Sequence, residues 1–121
     1  QLVDAAVAGN AKRSKECLED ILLKEGPYGV IPILAGRFRF MLLILDMKKH
    51  GRGLSEIMRE TKQRSEWYVE KTLRQAQTLG VERLKTALRI LLQADVKTKK
   101  GLTEIEDALD LALLQICALI R

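Results

Sequence analysis

Aromatic residues, histidine and long apolar runs are all scarce in this sequence of 121 residues. Aromatics make up only 4% of the chain, so the core must be built from Leu, Ile, Val and Ala, which favours helices over a β-sandwich or barrel. The longest unbroken apolar run, Phe40–Leu45, is far shorter than the roughly 20 residues that cross a bilayer. The first residues carry no signal-peptide pattern. We therefore expect a cytoplasmic domain, excised from a longer protein because the chain lacks an initiator Met and begins inside a helix.

Cysteine and histidine are too few to form a metal site. The only cysteines, Cys17 and Cys117, lie near opposite ends of the chain among apolar helical residues. A disulfide between them is one alternative, but two reduced, buried thiols are favoured. The single histidine, His50, has no matching cluster of Cys or carboxylates. There is also no G-x-x-x-x-G-K-[ST] loop and no convergent catalytic group, so we expect no cofactor and no enzymatic activity in this domain.

Apolar residues recur at helical spacing along almost the whole chain, and no stretch alternates convincingly with a period of two. The sequence therefore predicts an all-α fold, a single bundle of about five to seven helices over residues 1–121. Asn10 and Ser65 are predicted N-caps, and Thr103 with Glu106 forms a capping-box pattern. The expected helices cover roughly residues 2–8, 11–25, 27–49, 54–61, 65–79, 81–99 and 103–120.

The third predicted helix, residues 27–49, is apolar around most of its circumference, with only Arg39 and Asp46 marking a thin polar stripe. A helix of this kind is normally covered by neighbours on several sides. We therefore expect it to be the buried central helix of the bundle. Its apolar residues are Val30, Ile31, Ile33, Leu34, Phe38, Phe40, Met41, Leu42, Leu43, Ile44, Leu45 and Met47.

Residues 53–80 have the spacing of a helix-turn-helix in a chain with a formal net charge of +5, which makes DNA binding the alternative function. The connection between the two helices looks long for the usual three or four residues. Glu66 and Glu70 at the leading end of the second helix would face phosphates and oppose docking. The basic residues are also spread along the chain. A solvated surface of mixed charge is therefore favoured over a DNA-binding surface at residues 53–80.

Four segments resemble a known family when they are taken in order: VDAAVAGNAKRSKECLEDILLKEG, PILAGRFRFMLLILDMKK, GLSEIMRETKQRSEWYVEKTLRQAQ and ERLKTALRILLQADVKTKKG. Together they resemble the C-terminal domain of the bacterial DNA polymerase III delta subunit, over essentially the whole chain. The chain lacks the proline that precedes the aromatic residues at the start of the family's corresponding helix. The positions that match the family's patterns are Asp4, Gly9-Asn10, Arg37-Phe38-Arg39, Trp67-Tyr68-Val69, and Asp95 with Lys99.

The resemblance implies a non-catalytic domain of the sliding-clamp loader, which acts in DNA replication. In that family, C-terminal helical domains pack into a circular collar, so the implied partners are the ATPase subunits of tau or gamma type and a delta-prime-type subunit, in a hetero-pentamer. The sliding clamp is contacted through N-terminal AAA+-like modules, which lie outside this chain. The full-length protein is then a subunit of the DNA polymerase III holoenzyme, a DNA-directed DNA polymerase. Contact with DNA is implied to be indirect or weak, and no membrane is involved.

Four residues are candidates for contact with another subunit. Trp67 and Arg74 lie on the charged side of the fifth predicted helix, and both residue types are enriched at interfaces. Packing of Trp67 against a neighbouring loop is its alternative. Leu111 and Leu114 lie off the inward stripe of the last helix, where extra apolar surface often marks a contact. Irregular packing against the first helix is the alternative for these two leucines.

Asp95 and Lys99 are a candidate structural ion pair. Asp95 falls on the apolar face of the sixth predicted helix, where a bare carboxylate is costly. Lys99 follows four residues later and is therefore on the same side of the helix. We expect the pair to fix how the last two helices meet.

Overall fold

The computed structural model describes all 121 residues, Gln1–Arg121, and contains helices but no strand. The predicted all-α bundle is therefore confirmed. None of the helices combines the length and hydrophobicity that a membrane span requires. The six helices are α1 (Leu2–Val7), α2 (Ala11–Lys24), α3 (Val30–Lys49), α4 (Leu54–Thr61), α5 (Glu66–Lys99) and α6 (Ile105–Ile120).

The fifth and sixth predicted helices form one element, α5, which is broken at Gly80. This residue has φ 83° and ψ 162°, a backbone conformation that essentially only glycine adopts. The break divides α5 into a first half, residues 66–79, and a second half, residues 81–99. The predicted interruption between the fifth and sixth helices is therefore confirmed, although no loop separates the two halves of α5.

Two of the three predicted helix caps are confirmed. The Arg13 backbone N–H donates to Asn10 Oδ1 at 3.0 Å, and the Tyr68 backbone N–H donates to Ser65 Oγ at 3.1 Å. The predicted capping box of Thr103 and Glu106 is wrong. The N-cap of α6 is Glu104, without a side-chain cap, and the Thr103 hydroxyl instead donates to the Glu104 carbonyl at 3.5 Å.

α3 begins at Val30, three residues later than the sequence predicts. Gly26 has φ 83°, and the residues from Pro27 to Gly29 form a turn in which the Val30 N–H donates to the Pro27 carbonyl at 3.3 Å. Tyr28 in this turn is exposed.

The main core joins α1, α2, α3, α5 and α6 in one cluster of 22 buried residues that includes Phe38, Leu34 and Leu91. α3 packs chiefly along α5 and buries one continuous stripe. Ile33 and Leu43, on other sides of α3, are about half exposed. α3 contributes buried residues to both core clusters, as expected of a central helix, but the side that carries Ile33 and Leu43 is open to solvent. The buried stripe is Val30, Ile31, Leu34, Ala35, Phe38, Met41, Ile44 and Met47.

A separate minor cluster closes the other end of the bundle. It consists of Ile44 and Met47 from α3, Ile57 from α4 and Val69 from the first half of α5. Ile57 is the only buried residue of α4. The position of this short helix therefore depends on one side chain and on the partly buried neighbours around it.

Candidate protein–protein interface

The outer side of α6 presents two leucines to water. Leu109, Ala112 and Ile116 face the core and are buried, whereas Leu111 and Leu114 are 53% and 57% exposed. The core is closed beneath them by the inward residues. These two side chains are therefore available for contact with another chain without any rearrangement of the fold.

Leu111 lines a groove between α6 and the second half of α5. Three small buried residues, Ala94, Ala108 and Ala112, line this groove, and Lys97 lines it from the α5 side. Leu102, which is exposed in the connection between α5 and α6, also lines the groove. The groove also has polar lining residues, with Lys97 on the α5 wall and Asp107 on the α6 wall.

Leu114 adjoins a small cavity on the opposite side of α6, between α6 and α2. The cavity is also lined by Ala11, Leu113 and the ion pair of Lys15 with Asp110. The Lys15 Nζ lies 3.4 Å from Asp110 Oδ1, and the two side chains are 59% and 43% exposed. Leu111 and Leu114 are therefore one turn apart on the exposed side of α6, with α5 beside Leu111 and α2 beside Leu114.

Asp95 and Lys99 lie together at the end of α5, where the Lys99 Nζ is 3.0 Å from Asp95 Oδ2. The Lys99 side chain is exposed and that of Asp95 is about one-third exposed, so solvent screens the pair. Ion pairs of this kind contribute about 0–1 kcal/mol to stability. Both residues line a cleft together with Tyr28, Pro32 and Leu102.

Several exposed apolar residues near the candidate interface are not singled out by the sequence. Tyr28 and Leu102 lie in connections, where no helical period assigns a side chain to a face, and Val96 was given no role. Leu92 is about half exposed, although it lies next to the buried Leu91 in the sequence. The buried residues around it, Leu84, Ala87, Leu91 and Ala94, point to the other side of α5.

Trp67 and Arg74 lie on the first half of α5, and neither lines the cavity beside Leu114 or the groove beside Leu111. Trp67 is 67% exposed, and the Lys71 Nζ lies 5.0 Å from the centroid of its ring. Arg74 is also exposed. The four candidate contact residues therefore belong to two separate regions of the surface.

The connection between α4 and α5 runs from Lys62 to Ser65 and is four residues long. The expectation that it is too long for a helix-turn-helix is therefore wrong. Lys62 adopts the left-handed conformation, with φ 59°, and this tightens the turn without a glycine. Glu66 and Glu70 are exposed at the start of α5, as the sequence predicts.

A polar network connects α1, α3 and the first half of α5. The Lys71 Nζ donates to Asp4 Oδ2 at 2.7 Å, and the Gln75 Nε2 donates to Asp4 Oδ1 at 3.1 Å. The Arg37 guanidinium donates to Gln75 Oε1 at 3.5 Å and lies 5.0 Å from the centre of the Tyr68 ring. Asp4, Arg37 and Tyr68, which match the family's patterns in separate segments, are therefore joined in one network.

The network changes the acidity of Asp4. Burial of the carboxyl opposes its ionisation, but the hydrogen bonds from Lys71 and Gln75 and the positive charge of Lys71 outweigh burial and lower the pKa of Asp4. The carboxylate is thus held in its charged form by contacts that exist only when α1 is docked on α5.

No group of three or more His, Cys, Asp or Glu side chains converges in a way that could hold a metal ion. Cys17 and Cys117 are both free and buried, so the disulfide that the sequence left open is not formed. The Cys117 Sγ lies 3.5 Å from Ser14 Oγ. His50 is exposed, and its Nδ1 lies 2.8 Å from the Asp46 carbonyl at the end of α3.

The chain is a small all-α domain with its helices packed on one core. Aliphatic side chains remain exposed on the outer faces of α5 and α6, so the candidate site is a surface for another chain. The family model described as DNA polymerase III delta subunit, C-terminal domain, matches residues 1–116. The chain therefore belongs to this family, and the resemblance found in the sequence is confirmed. No curated protein and no solved structure gives a significant match to the chain.

Proposed function

We propose that this domain is a non-catalytic scaffold of the clamp loader in DNA replication, which joins the delta subunit to the other clamp-loader subunits. Membership of the delta C-terminal family over residues 1–116 supports this role. The observation that carries it is the pair Leu111 and Leu114, left half exposed on a helix whose inner side is fully packed. Apolar surface that the fold does not need is typical of a site for a partner.

The partners in this proposal are the ATPase subunits of tau or gamma type and the delta-prime-type subunit, in a hetero-pentamer that acts in the cytoplasm. AAA+-like modules on the N-terminal side of this domain contact the sliding clamp. Full burial of an exposed leucine side chain contributes about 1.5–3 kcal/mol, and covering these half-exposed leucines contributes roughly half as much each. Two adjacent leucines with a polar rim therefore suffice to make the outer side of α6 an important part of the contact.

The proposal is tested by capture of purified clamp-loader subunits on the immobilised domain. We expect the domain to retain these subunits and the double variant L111E/L114E to retain much less, because each glutamate would place a charge in an apolar contact. The control is L23E, since Leu23 is 87% exposed near the end of α2 and lines neither the cavity beside Leu114 nor the groove beside Leu111. Equal capture by the L111E/L114E variant and the original chain contradicts the assignment of this surface, and no capture by the original chain contradicts the function.

DNA binding through residues 53–80 is the second candidate, and the four-residue connection between α4 and α5 is the observation that favours it. Lys71 is engaged by Asp4, and the exposed Glu66 and Glu70 stand at the start of the second helix. We therefore propose that any contact with DNA is weak and not sequence-specific. Titration of duplex DNA at increasing salt distinguishes the two functions, since a base preference that persists as salt weakens the affinity would favour this candidate.

A further inference from the structure

A cleft lies at one end of the bundle, between the turn that precedes α3 and the connection that joins α5 to α6. Its volume is about 740 Å³, within the range of roughly 300–1,000 Å³ that is typical of ligand sites. The buried Ile31 and the partly buried Ile105 line it, and the ion pair of Asp95 with Lys99 lines it from α5. The fold therefore provides a concave site that is separate from the exposed leucines of α6.

Two strongly exposed apolar side chains line the same cleft. Tyr28 is 80% exposed in the turn before α3, and Leu102 is 72% exposed in the connection before α6. Neither side chain is needed for the core, which Ile31 closes beneath them. An apolar side chain that enters the cleft can therefore remove both residues from water, as at a site for a partner.

Glu104 carries the only charge of the cleft that has no partner within the chain. Three charged residues line the cleft, and two of them, Asp95 and Lys99, pair with each other. Glu104 is exposed and forms no ion pair. The neighbouring Lys97 and Lys100 do not line the cleft. Its unpaired charge is thus negative, which favours a cationic group on the partner.

The ends of three helices meet at the cleft and leave backbone groups without backbone partners. The N–H groups of Ile31, near the start of α3, and of Ile105, at the start of α6, donate no backbone hydrogen bond. The Gly101 carbonyl, just after α5, accepts none. An extended polypeptide offers both donors and acceptors along its length, so it can add main-chain hydrogen bonds to the apolar and ionic contacts.

From these features we infer that the cleft docks an extended segment of another protein, in which leucines or similar aliphatic residues adjoin an arginine or lysine. The aliphatic side chains pack against Tyr28 and Leu102, and the cation pairs with Glu104. The inference goes beyond the proposed function and does not depend on it.

A basic extended segment fits the cleft better than a nucleic acid or a helix does. Glu104 would repel phosphates, and the charge of Lys99 is already engaged by Asp95. A helix satisfies its own backbone groups internally, so it would leave the free N–H groups of Ile31 and Ile105 unused.

Peptide titration followed by NMR tests the inference in the 121-residue chain itself. Three short peptides in a Gly-Ser background differ only in their central sequence, which is Arg-Leu-Leu-Arg, Glu-Leu-Leu-Glu or Arg-Ser-Ser-Arg. We expect the Arg-Leu-Leu-Arg peptide to shift the amide signals of Thr98, Gly101 and Thr103, which line the cleft. It should bind at least about tenfold more tightly than the serine peptide, because apolar contact is lost there. It should bind about fivefold more tightly than the glutamate peptide, whose charge faces Glu104.

The charge of the cleft is tested by a matched pair of variants. E104K should weaken binding of the Arg-Leu-Leu-Arg peptide by about fivefold and strengthen binding of the glutamate peptide. E106K is the control, because Glu106 is also exposed and unpaired near the start of α6 but does not line the cleft. At physiological salt E106K should change either affinity by less than about twofold, since solvent and ions screen its charge.

The apolar contact is tested by a second pair of variants. Y28S should weaken binding of both leucine peptides by about threefold or more without any change of charge. L111S/L114S should leave binding unchanged, because neither leucine lines the cleft. Circular dichroism checks that every variant is folded, and L102S replaces Y28S if the latter does not fold.

Four results would overturn the inference. These are peptides that leave the three amide signals unmoved, a glutamate peptide that binds as tightly as the arginine peptide, equal effects of E104K and E106K, and shifts confined to the surroundings of Leu111 and Leu114. Duplex DNA that shifts the cleft signals more strongly than any peptide would make the cleft a nucleic-acid site instead. Capture of clamp-loader subunits is measured separately, so failed peptide binding with normal capture would overturn this inference and leave the proposed function standing.

Discussion

The ammonium group of Lys71 on α5 lies 2.7 Å from the carboxylate of Asp4 on α1, 67 residues away in the chain. The same carboxylate accepts a hydrogen bond from Gln75, one turn further along α5. The six-residue α1 is too short to be stable as an isolated helix. Its place in the bundle therefore depends on its buried residues and on this polar link to α5.

Substitution of Asp4 by Asn tests the link through its pH dependence. The pKa of Asp4 is lowered in the folded state, so its contribution to stability is present above the unfolded-state pKa of about 4 and is lost as the pH falls through the lower folded-state pKa. We expect D4N to lower the free energy of unfolding by about 1 kcal/mol at neutral pH, because the contact is partly exposed. The difference from the original chain should disappear in strong acid. A loss that is the same at all pH values would show that packing, and not charge, holds α1.

Leu34 and Leu43 on α3 form a matched pair for the one-sided burial of this helix. Leu34 is fully buried in the main core and Leu43 is about half exposed. We expect L34A to lower the free energy of unfolding by about 2–5 kcal/mol and L43A by less than about 1 kcal/mol, as measured by urea denaturation. Equal losses would mean that α3 is covered on both sides, as the sequence alone suggests.

Gly80 and Gly36 form a second matched pair. An added Cβ would meet no atom within 4 Å at either position, so the difference between them lies in the backbone. Gly80 has φ 83° and ψ 162°, and we expect G80A to lower stability by about 1–3 kcal/mol. Gly36 lies within the regular helix α3, and G36A should raise stability by about 0.5–1 kcal/mol. Thermal denaturation followed by circular dichroism measures both, and a neutral G80A would contradict the break in α5.

Trp67 is the only tryptophan of the chain, so the intrinsic fluorescence reports on a single exposed side chain. We expect its emission maximum to lie close to that of free tryptophan in water and acrylamide to quench it efficiently. If Trp67 is an anchor for another subunit, binding of that subunit should shift the emission to the blue and reduce quenching. Emission typical of a dry interior in the free domain would contradict the exposed position of the ring.

The fold could be predicted from the sequence wherever a local signal decides the structure. Asn10 and Ser65 cap their helices because a side-chain oxygen immediately before a helix reaches its first free N–H groups. Thr103 also has a side-chain oxygen that could cap a helix, but it does not occupy the N-cap position of α6. The Leu102 N–H still donates to the Lys97 carbonyl at 2.9 Å, so the chain leaves α5 too late for Thr103 to begin the next helix.

The candidate site could be predicted only in part. The exposure of Leu111 and Leu114 follows from the helical period of α6, because the inward stripe of that helix is clear in the sequence. On α3 and on the second half of α5, apolar residues point in several directions. Which side is covered there depends on where the other helices pack, so the sequence alone does not show that Ile33, Leu43 and Leu92 are exposed.

The minor cluster around Ile57 makes α4 easier to unfold locally than the helices of the main core. α4 has a single buried side chain, whereas α3 and α5 each contribute eight buried residues along their lengths. Amide protons of α4 should therefore exchange with solvent deuterium through a local excursion of much lower energy than complete unfolding. This corner of the domain can detach and re-form while the principal core persists, which makes α4 the natural site for insertions, protease nicking and adaptation to a neighbour's shape.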